Sequence, residues 1–233
     1  MNKSDCTRHE FKYPCDEIQM AIIQSRLESL MRRDPHAANG QYTVRSLYFD
    51  NYANRCYYEN ENGTDPREKY RIRIYNASDS RISLECKRKE RGKTSKESCP
   101  LSREQADMLA NGESLSDLSS HPELLRRFLI LMKTQMFSPA VIVEYDRIPY
   151  VHETGNVRIT LDRNLRSSAA FSDFFAETIP SRPVLPPGRH LLEVKYDELL
   201  LDYLKEILQL GSLQRTTFSK YYLCRKYTLG GKA

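Results

Sequence analysis

The 233-residue chain carries 36 Lys and Arg against 31 Asp and Glu, a formal net charge of +5. That length suits one large domain or two small ones with a real core, and so mild a basic excess does not by itself select nucleic acid. The longest run of large apolar residues, Phe128 to Met132, is far too short to span a bilayer, and the stretch from Met1 to Tyr13 has no apolar signal-peptide core, so a cytoplasmic protein is expected.

In chain order, "RHEFKY" (8–13) predicts a strand with Arg8, Glu10 and Lys12 on one face. Residues 16–33 predict a helix capped by Asp16, with Ile18, Ile22, Leu27, Leu30 and Met31 as its apolar stripe. Strands are expected at 42–50, 69–75 and 81–89, and shorter ones near 56–60 and 93–98. Ser102 and Gln105 form a capping-box pattern ahead of a short helix that ends near Gly112. A helix opened by Pro122 covers 122–134, and strands follow at 140–148, 156–162 and 190–197. The proline-rich 179–188 reads as a long loop. Leu200, Tyr203, Leu204, Ile207 and Leu208 mark a helix over 198–210 stopped by Gly211, and a last short helix covers 219–226. About eight strands joined mostly by short turns, with amphipathic helices among them, predict a single α+β domain over 1–233 built on a large antiparallel sheet. A sheet of that size often removes its edges by closing into a barrel.

The cations are not evenly spread. From Lys69 to Lys96 there are ten Lys and Arg against three Asp and Glu. In "KYRIRIY" (69–75), Lys69, Arg71 and Arg73 alternate with Tyr70, Ile72 and Ile74, so one face of that strand is wholly cationic. The same alternation puts Glu85, Lys87 and Lys89 on one face, Arg158, Thr160 and Asp162 on another, and Glu193, Lys195 and Asp197 on a third. The helices claim the apolar faces, so the charged faces point away from them. Those faces meet water in an open sheet and line the interior of a closed one; periodicity serves both equally. A charged interior requires water or a ligand, because ionised groups buried dry cost several kcal/mol each even when paired. Mixed signs suit a polyanion and its metal, with bases for phosphate oxygens and carboxylates for a hard divalent cation. Tyr48, Asp50 and Tyr145 read equally as structural hydrogen-bond groups or ligand contacts, and Arg88, Arg91 and Lys93 as an exposed basic hairpin.

Other chemistries leave no trace. The cysteines (Cys6, Cys15, Cys56, Cys86, Cys99, Cys224) form no CxxC pair, and reduced thiols are expected. The five histidines form no catalytic constellation, and neither GxxxxGK nor GxGxxG occurs. The tyrosines in the strands mostly alternate away from the charged faces, which argues against nucleic acid.

Eight motifs in order resemble the polyphosphate polymerase domain of the vacuolar transporter chaperone (VTC) family, among the CYTH-like triphosphate tunnel metalloenzymes. They are "RHEFKY", "RSLYFDN", "KYRIRIY", "LECKRK", "VEYDRIPY", "VRITLD", "LLEVKYD" and "FSKYYL", spanning about residues 8–227. The resemblance implies a closed antiparallel β-tunnel with helices outside. It implies Arg71, Arg73, Lys87, Arg158 and Glu193 as the catalytic set, and Lys12, Lys96, Arg147, Lys195 and Lys220 as further phosphate-binding positions. Glu193 and Glu10 would hold Mn²⁺ or Mg²⁺. The implied partners are ATP, polyphosphate and inorganic triphosphate or pyrophosphate, with a membrane-protein partner and the oligomeric state left open. Two departures stand out. "HEFK" keeps one of the two glutamates of the superfamily's ExExK strand, and Thr217 stands where the polymerases more often carry lysine. The expected reaction is transfer of the ATP γ-phosphate to a growing polyphosphate. The alternatives are a triphosphatase in which Glu10 or Glu85 orients water, or a non-catalytic polyphosphate-binding module.

Overall fold

The computed structural model describes residues 9–37, 39–91, 93–208 and 213–230. Arg8, Cys6 and Gly211, used above, lie outside them. In order, the elements are β1 (His9–Asp16), α1 (Glu17–Glu28), β2 (Arg32–Arg33), β3 (Tyr42–Asp50), α2 (Arg55–Glu61), β4 (Arg67–Tyr75), β5 (Ser78–Glu90) and β6 (Lys93–Pro100). Next come α3 (Arg103–Ala110), α4 (Glu123–Gln135), β7 (Ser138–His152), β8 (Val157–Ser168), β9 (Arg182–Pro183), β10 (Arg189–Tyr196), α5 (Asp202–Leu208) and α6 (Lys220–Thr228). The α+β class and the eight principal antiparallel strands agree with expectation. The hydrogen-bonded path runs β1-β10-β8-β7-β3-β4-β5-β6, with the two-residue β2 on β7 and β9 on β8. No described helix is long and apolar enough to cross a membrane.

The described residues pack as two compact units, the first drawn from the stretches 1–43, 145–165 and 185–218, the second from 44–144, 166–184 and 219–233. In the first, Ile159, Leu161, Leu192 and Val194 from β8 and β10 pack with Met20, Ile23 and Leu27 of α1 and Leu204 of α5. The expected α1 stripe is partly met: Leu27 and Met31 join the core, but Ile18, Ile22 and Leu30 are exposed. Met20, Ile23 and Leu27 face the core, while Ile18 is 73% exposed and Ile22 also faces outward. The capping box between Asp16 and Gln19 starts the helix where expected, but it ends at Glu28, so Leu30 and Met31 lie beyond it. On the other face of the same strands stand Glu193, Lys195, Arg158 and Thr160, as alternation requires.

In the second unit, Phe128 of α4 packs edge-on against Phe49 of β3 and stacks on Tyr70 of β4. The capping box at Ser102 and Gln105 is formed and opens α3. The strand expected at 56–60 is instead the helix α2. Asp50 accepts the backbone N–H groups of Cys56 (2.8 Å) and Tyr57 (3.2 Å), and Asn51 accepts that of Arg55 (3.0 Å). These side chains satisfy the helix's first donors and override the β preference of Cys-Tyr-Tyr. Arg45, wholly buried, pairs with Glu144 and donates to the carbonyls of Phe174 and Ala176 (2.9 and 2.6 Å). It ties segment 174–177 to β3. The described cysteines are buried free thiols.

Candidate functional site

In the second unit, register carries one charged face across four strands. Ser46 and Tyr48 of β3 stand opposite Arg73 and Arg71 of β4, and Arg71 in turn stands opposite Glu85 of β5. One step toward the β5–β6 turn, Lys69, Lys87 and Lys96 stand directly opposite one another on β4, β5 and β6, followed by Arg67 opposite Lys89. Directly opposed like charges destabilise a sheet unless something anionic joins them.

Glu85 is the pivot of this face. Arg71 donates to its Oε2 from Nε (2.8 Å) and Nη2 (2.6 Å), while its Nη1 donates to the Tyr48 hydroxyl (2.6 Å). Lys96 Nζ donates to Glu85 Oε1 at 3.0 Å, and Arg73 Nη1 lies 3.8 Å from Oε2. Burial raises the proton affinity of this carboxyl, but Arg71, Arg73 and Lys96 outweigh it and hold the carboxyl well below its ordinary range. Arg73 also donates to Ser46 Oγ (3.1 Å). Lys69 donates to Asn60 (2.6 Å) and Ser219 (3.3 Å) and lies over the Tyr221 ring. Lys220 opens α6 directly after its cap, Ser219. A cation there opposes the helix dipole, which favours an anion in the same place. Asp50 is structural: besides capping α2, it accepts the Tyr221 hydroxyl at 2.5 Å.

In the first unit, a second charged face spans β1, β10, β8 and β7. Glu10 stands opposite Lys195, Lys12 opposite Glu193, Glu193 opposite Thr160, and Lys195 opposite Arg158. The Lys195 ammonium pairs with Glu193 and lies 4.0 Å from Glu10. Lys12 pairs with Glu10 (3.1 Å) and donates to the Phe218 carbonyl (2.9 Å). Arg158 donates from Nη2 to Asp34 (2.8 Å) and to the Tyr42 hydroxyl (2.9 Å), while its buried Nε has no hydrogen-bond partner among the described residues. Arg147 is buried and bidentate to Asp162 (2.7 and 2.8 Å), over the Tyr145 ring. Burial opposes its charge, yet Asp162, Tyr145 and Glu193 outweigh burial and hold the guanidinium well above its ordinary value.

The donor set fits a hard divalent cation of the kind that takes one or two carboxylates and leaves its other positions to phosphate oxygens. The Lys195 ammonium pairs with Glu193 and lies 4.0 Å from Glu10, so both carboxylates flank one cation. Among the described residues no group of three or more His, Cys, Asp or Glu gathers for an all-protein site. Thus the structure brings Arg71, Arg73 and Lys96 together around Glu85, and Lys12 and Lys195 together around Glu10. Asp34 and Tyr42, which orient Arg158, were missed. Asp34 sits in a loop with no periodic pattern and Tyr42 opens β3, 124 and 116 positions from their partner.

A family model described as the VTC domain matches residues 7–229. No curated protein matches the sequence. Among solved structures, the chain is similar to a candidate adenylyl cyclase from Hippeastrum described as having a dominant triphosphatase activity, with 14% identity over 97% of both chains and a TM-score of 0.59. A candidate adenylate cyclase from Bacillus halodurans shares 13% identity over 90% of this chain and 92% of its own, with a TM-score of 0.53. A Pyrococcus horikoshii protein shares 13% identity over 94% and 99%, with a TM-score of 0.50. At these identities the likeness is one of fold.

Proposed function

The chain belongs to the VTC domain family, and from that premise we propose that it transfers the γ-phosphate of ATP to a growing polyphosphate with Mn²⁺ or Mg²⁺ as cofactor. The observation that carries this reading is the opposed row Lys69, Lys87 and Lys96 beside the Arg71 and Arg73 grip. One triphosphate needs the grip alone; an acceptor chain needs cations further along. In this reading Arg71, Arg73 and Lys87 neutralise phosphate oxygens, as do Lys12, Arg158 and Lys195. Glu193, with Glu10 beside it, would hold the divalent cation, whose bound charge offsets that developing on the phosphates. An ionised terminal oxygen of the acceptor attacks the γ-phosphorus, the bond to the β-phosphate oxygen breaks, and ADP leaves. The acceptor brings no proton, so no general base is required.

Hydrolysis, the activity described for the Hippeastrum protein, needs a carboxylate poised to orient water. Glu85 is held by three cations and Glu10 by Lys12 and Lys195, which favours transfer. The test is incubation with ATP, Mn²⁺ or Mg²⁺ and a short polyphosphate primer, followed by separation of the products. Lengthened polymer in step with ADP is expected. Orthophosphate in step with ADP, without polymer, would make the chain a hydrolase.

A further inference from the structure

Both arginines of the phosphate grip and Lys96 of the adjoining row converge on an anion of the chain's own. Glu85 is 3% exposed, and both of its oxygens are engaged, Oε2 by Arg71 and Arg73 and Oε1 by Lys96. Register rather than chance puts it there. It stands opposite Arg71 on β4 and Ser98 on β6, with Lys87 two positions along its own strand. The cluster therefore carries two net positive charges instead of three. A phosphate that reaches these cations meets donors already shared with a carboxylate and a like charge a few ångströms behind them.

We propose that Glu85 is a positioning residue that limits the grip of Arg71, Arg73 and Lys96 on phosphate, so that a phosphate chain is held in register yet released and advanced. The inference rests on the phosphate-binding reading of this face. It adds that affinity here is deliberately submaximal. A site that must pass a polyanion along gains nothing from tight ground-state binding, which lowers KM without raising kcat. A unit charge about 5 Å from a bound phosphate, at an effective dielectric constant of about 20, corresponds to roughly a hundredfold in affinity before solvent and relaxation reduce it. Tightening of about tenfold is therefore the expected scale when the charge is removed.

The test uses the full chain and inorganic triphosphate, with chelator present, and compares wild type, Glu85→Gln, Lys96→Met and the double variant by calorimetry and by dissociation rate. Glu85→Gln should bind about tenfold tighter, with slower dissociation and a steeper salt dependence. With ATP and primer, KM and kcat should fall together, while Glu85→Asp stays near wild type. Lys96 is half exposed, so its replacement does not threaten the fold. The double variant keeps two net charges on the cluster, and it decides the matter where Glu85→Gln alone fails to fold. In the Lys96→Met background, the Glu-to-Gln step must again tighten binding. Unchanged or weaker triphosphate binding on that step, in whichever background folds, overturns the inference and leaves Glu85 a structural counterion. Wild type that binds no triphosphate overturns the phosphate reading itself, and this inference with it; that result is distinct from an unchanged affinity in the variants.

Discussion

Arg71→Ala separates the counterion role that the structure shows from the phosphate-binding role proposed for the same side chain. Arg71 gives Glu85 two hydrogen bonds and Tyr48 one, and it is the nearest cation to a carboxylate that is 4% exposed at its side chain. Removing one partner of a buried ion pair costs roughly 3–5 kcal/mol. Lys96 at 3.0 Å and Arg73 at 3.8 Å remain to neutralise Glu85, so about 2 kcal/mol is the fitting expectation. For a chain of this length that lowers the melting temperature by roughly 4–8 °C. The apolar side of β4, Tyr70, Ile72 and Ile74, is untouched, so the fold survives. Binding loses a charge-assisted contact of about 1.5–3 kcal/mol, a rise of roughly 10- to 150-fold in the triphosphate Kd. Melting curves with and without inorganic triphosphate, together with calorimetric titration, read both effects. Arg88→Ala serves as the control, since Arg88 makes only exposed pairs with Glu68 and Glu90, worth about 0–1 kcal/mol. An Arg71→Ala protein that melts lower yet binds triphosphate with the wild-type Kd would refute the phosphate role and leave Arg71 as the counterion of Glu85.

Glu193→Gln should abolish metal-stimulated ADP release while triphosphate still binds in chelator; full metal-dependent turnover in this variant would move the cation to Glu10. Glu85 has a depressed carboxyl pKa, so its contribution to stability is complete above its ordinary value of about 4.5 and is lost as pH falls below it. The melting-temperature gap between wild type and Glu85→Gln should accordingly be wide near neutrality and close in acid, and a gap that is flat across that range would contradict the assignment. Lys220→Ala should slow primed polymer growth several-fold more than it weakens ATP binding, measured by product separation and titration in parallel; an equal loss in both would place Lys220 on ATP instead of the acceptor.

Alternation made much of this legible. β3 runs from Tyr42 to Asp50, as its pattern predicts, and the charged faces of β4, β5, β8 and β10 hold the residues their parity assigns. What alternation cannot carry is partnership. Arg45 sits in a strand-like run, and nothing local says that it is buried against Glu144 and two loop carbonyls. Arg147 reads as a phosphate ligand from its motif, but its bidentate partner Asp162 lies on the next long strand. The α2 error has the same origin: Cys-Tyr-Tyr reads as strand, and only the fold brings the Asp50 carboxylate onto its backbone donors. In α1 the helix was found and Leu27 and Met31 were placed in the core, but Ile18 and Ile22 stood in the expected stripe where Met20 and Ile23 belong.

The ion pairs bear on the choice of attacking group. Water is present at about 55 M, so a transferase must present its acceptor far better than solution does, and good positioning can supply effective molarities of about 10⁵ M or more. Positioning a phosphate acceptor requires cations beyond those that hold the donor, and the row Lys69, Lys87 and Lys96 continues past Arg71 and Arg73 in register. Positioning water requires instead a carboxylate whose lone pairs are open and whose basicity is not suppressed. Glu85 has both oxygens committed and its proton affinity lowered by three cations, so it is a poor base for water and a good anchor for the cations. The same pairing therefore leaves Glu85 poorly suited to the role that hydrolysis would ask of it. Under the transfer reaction proposed above, the acceptor depends on Lys220 and Lys96, whose loss should show first in chain length and only then in ATP consumption.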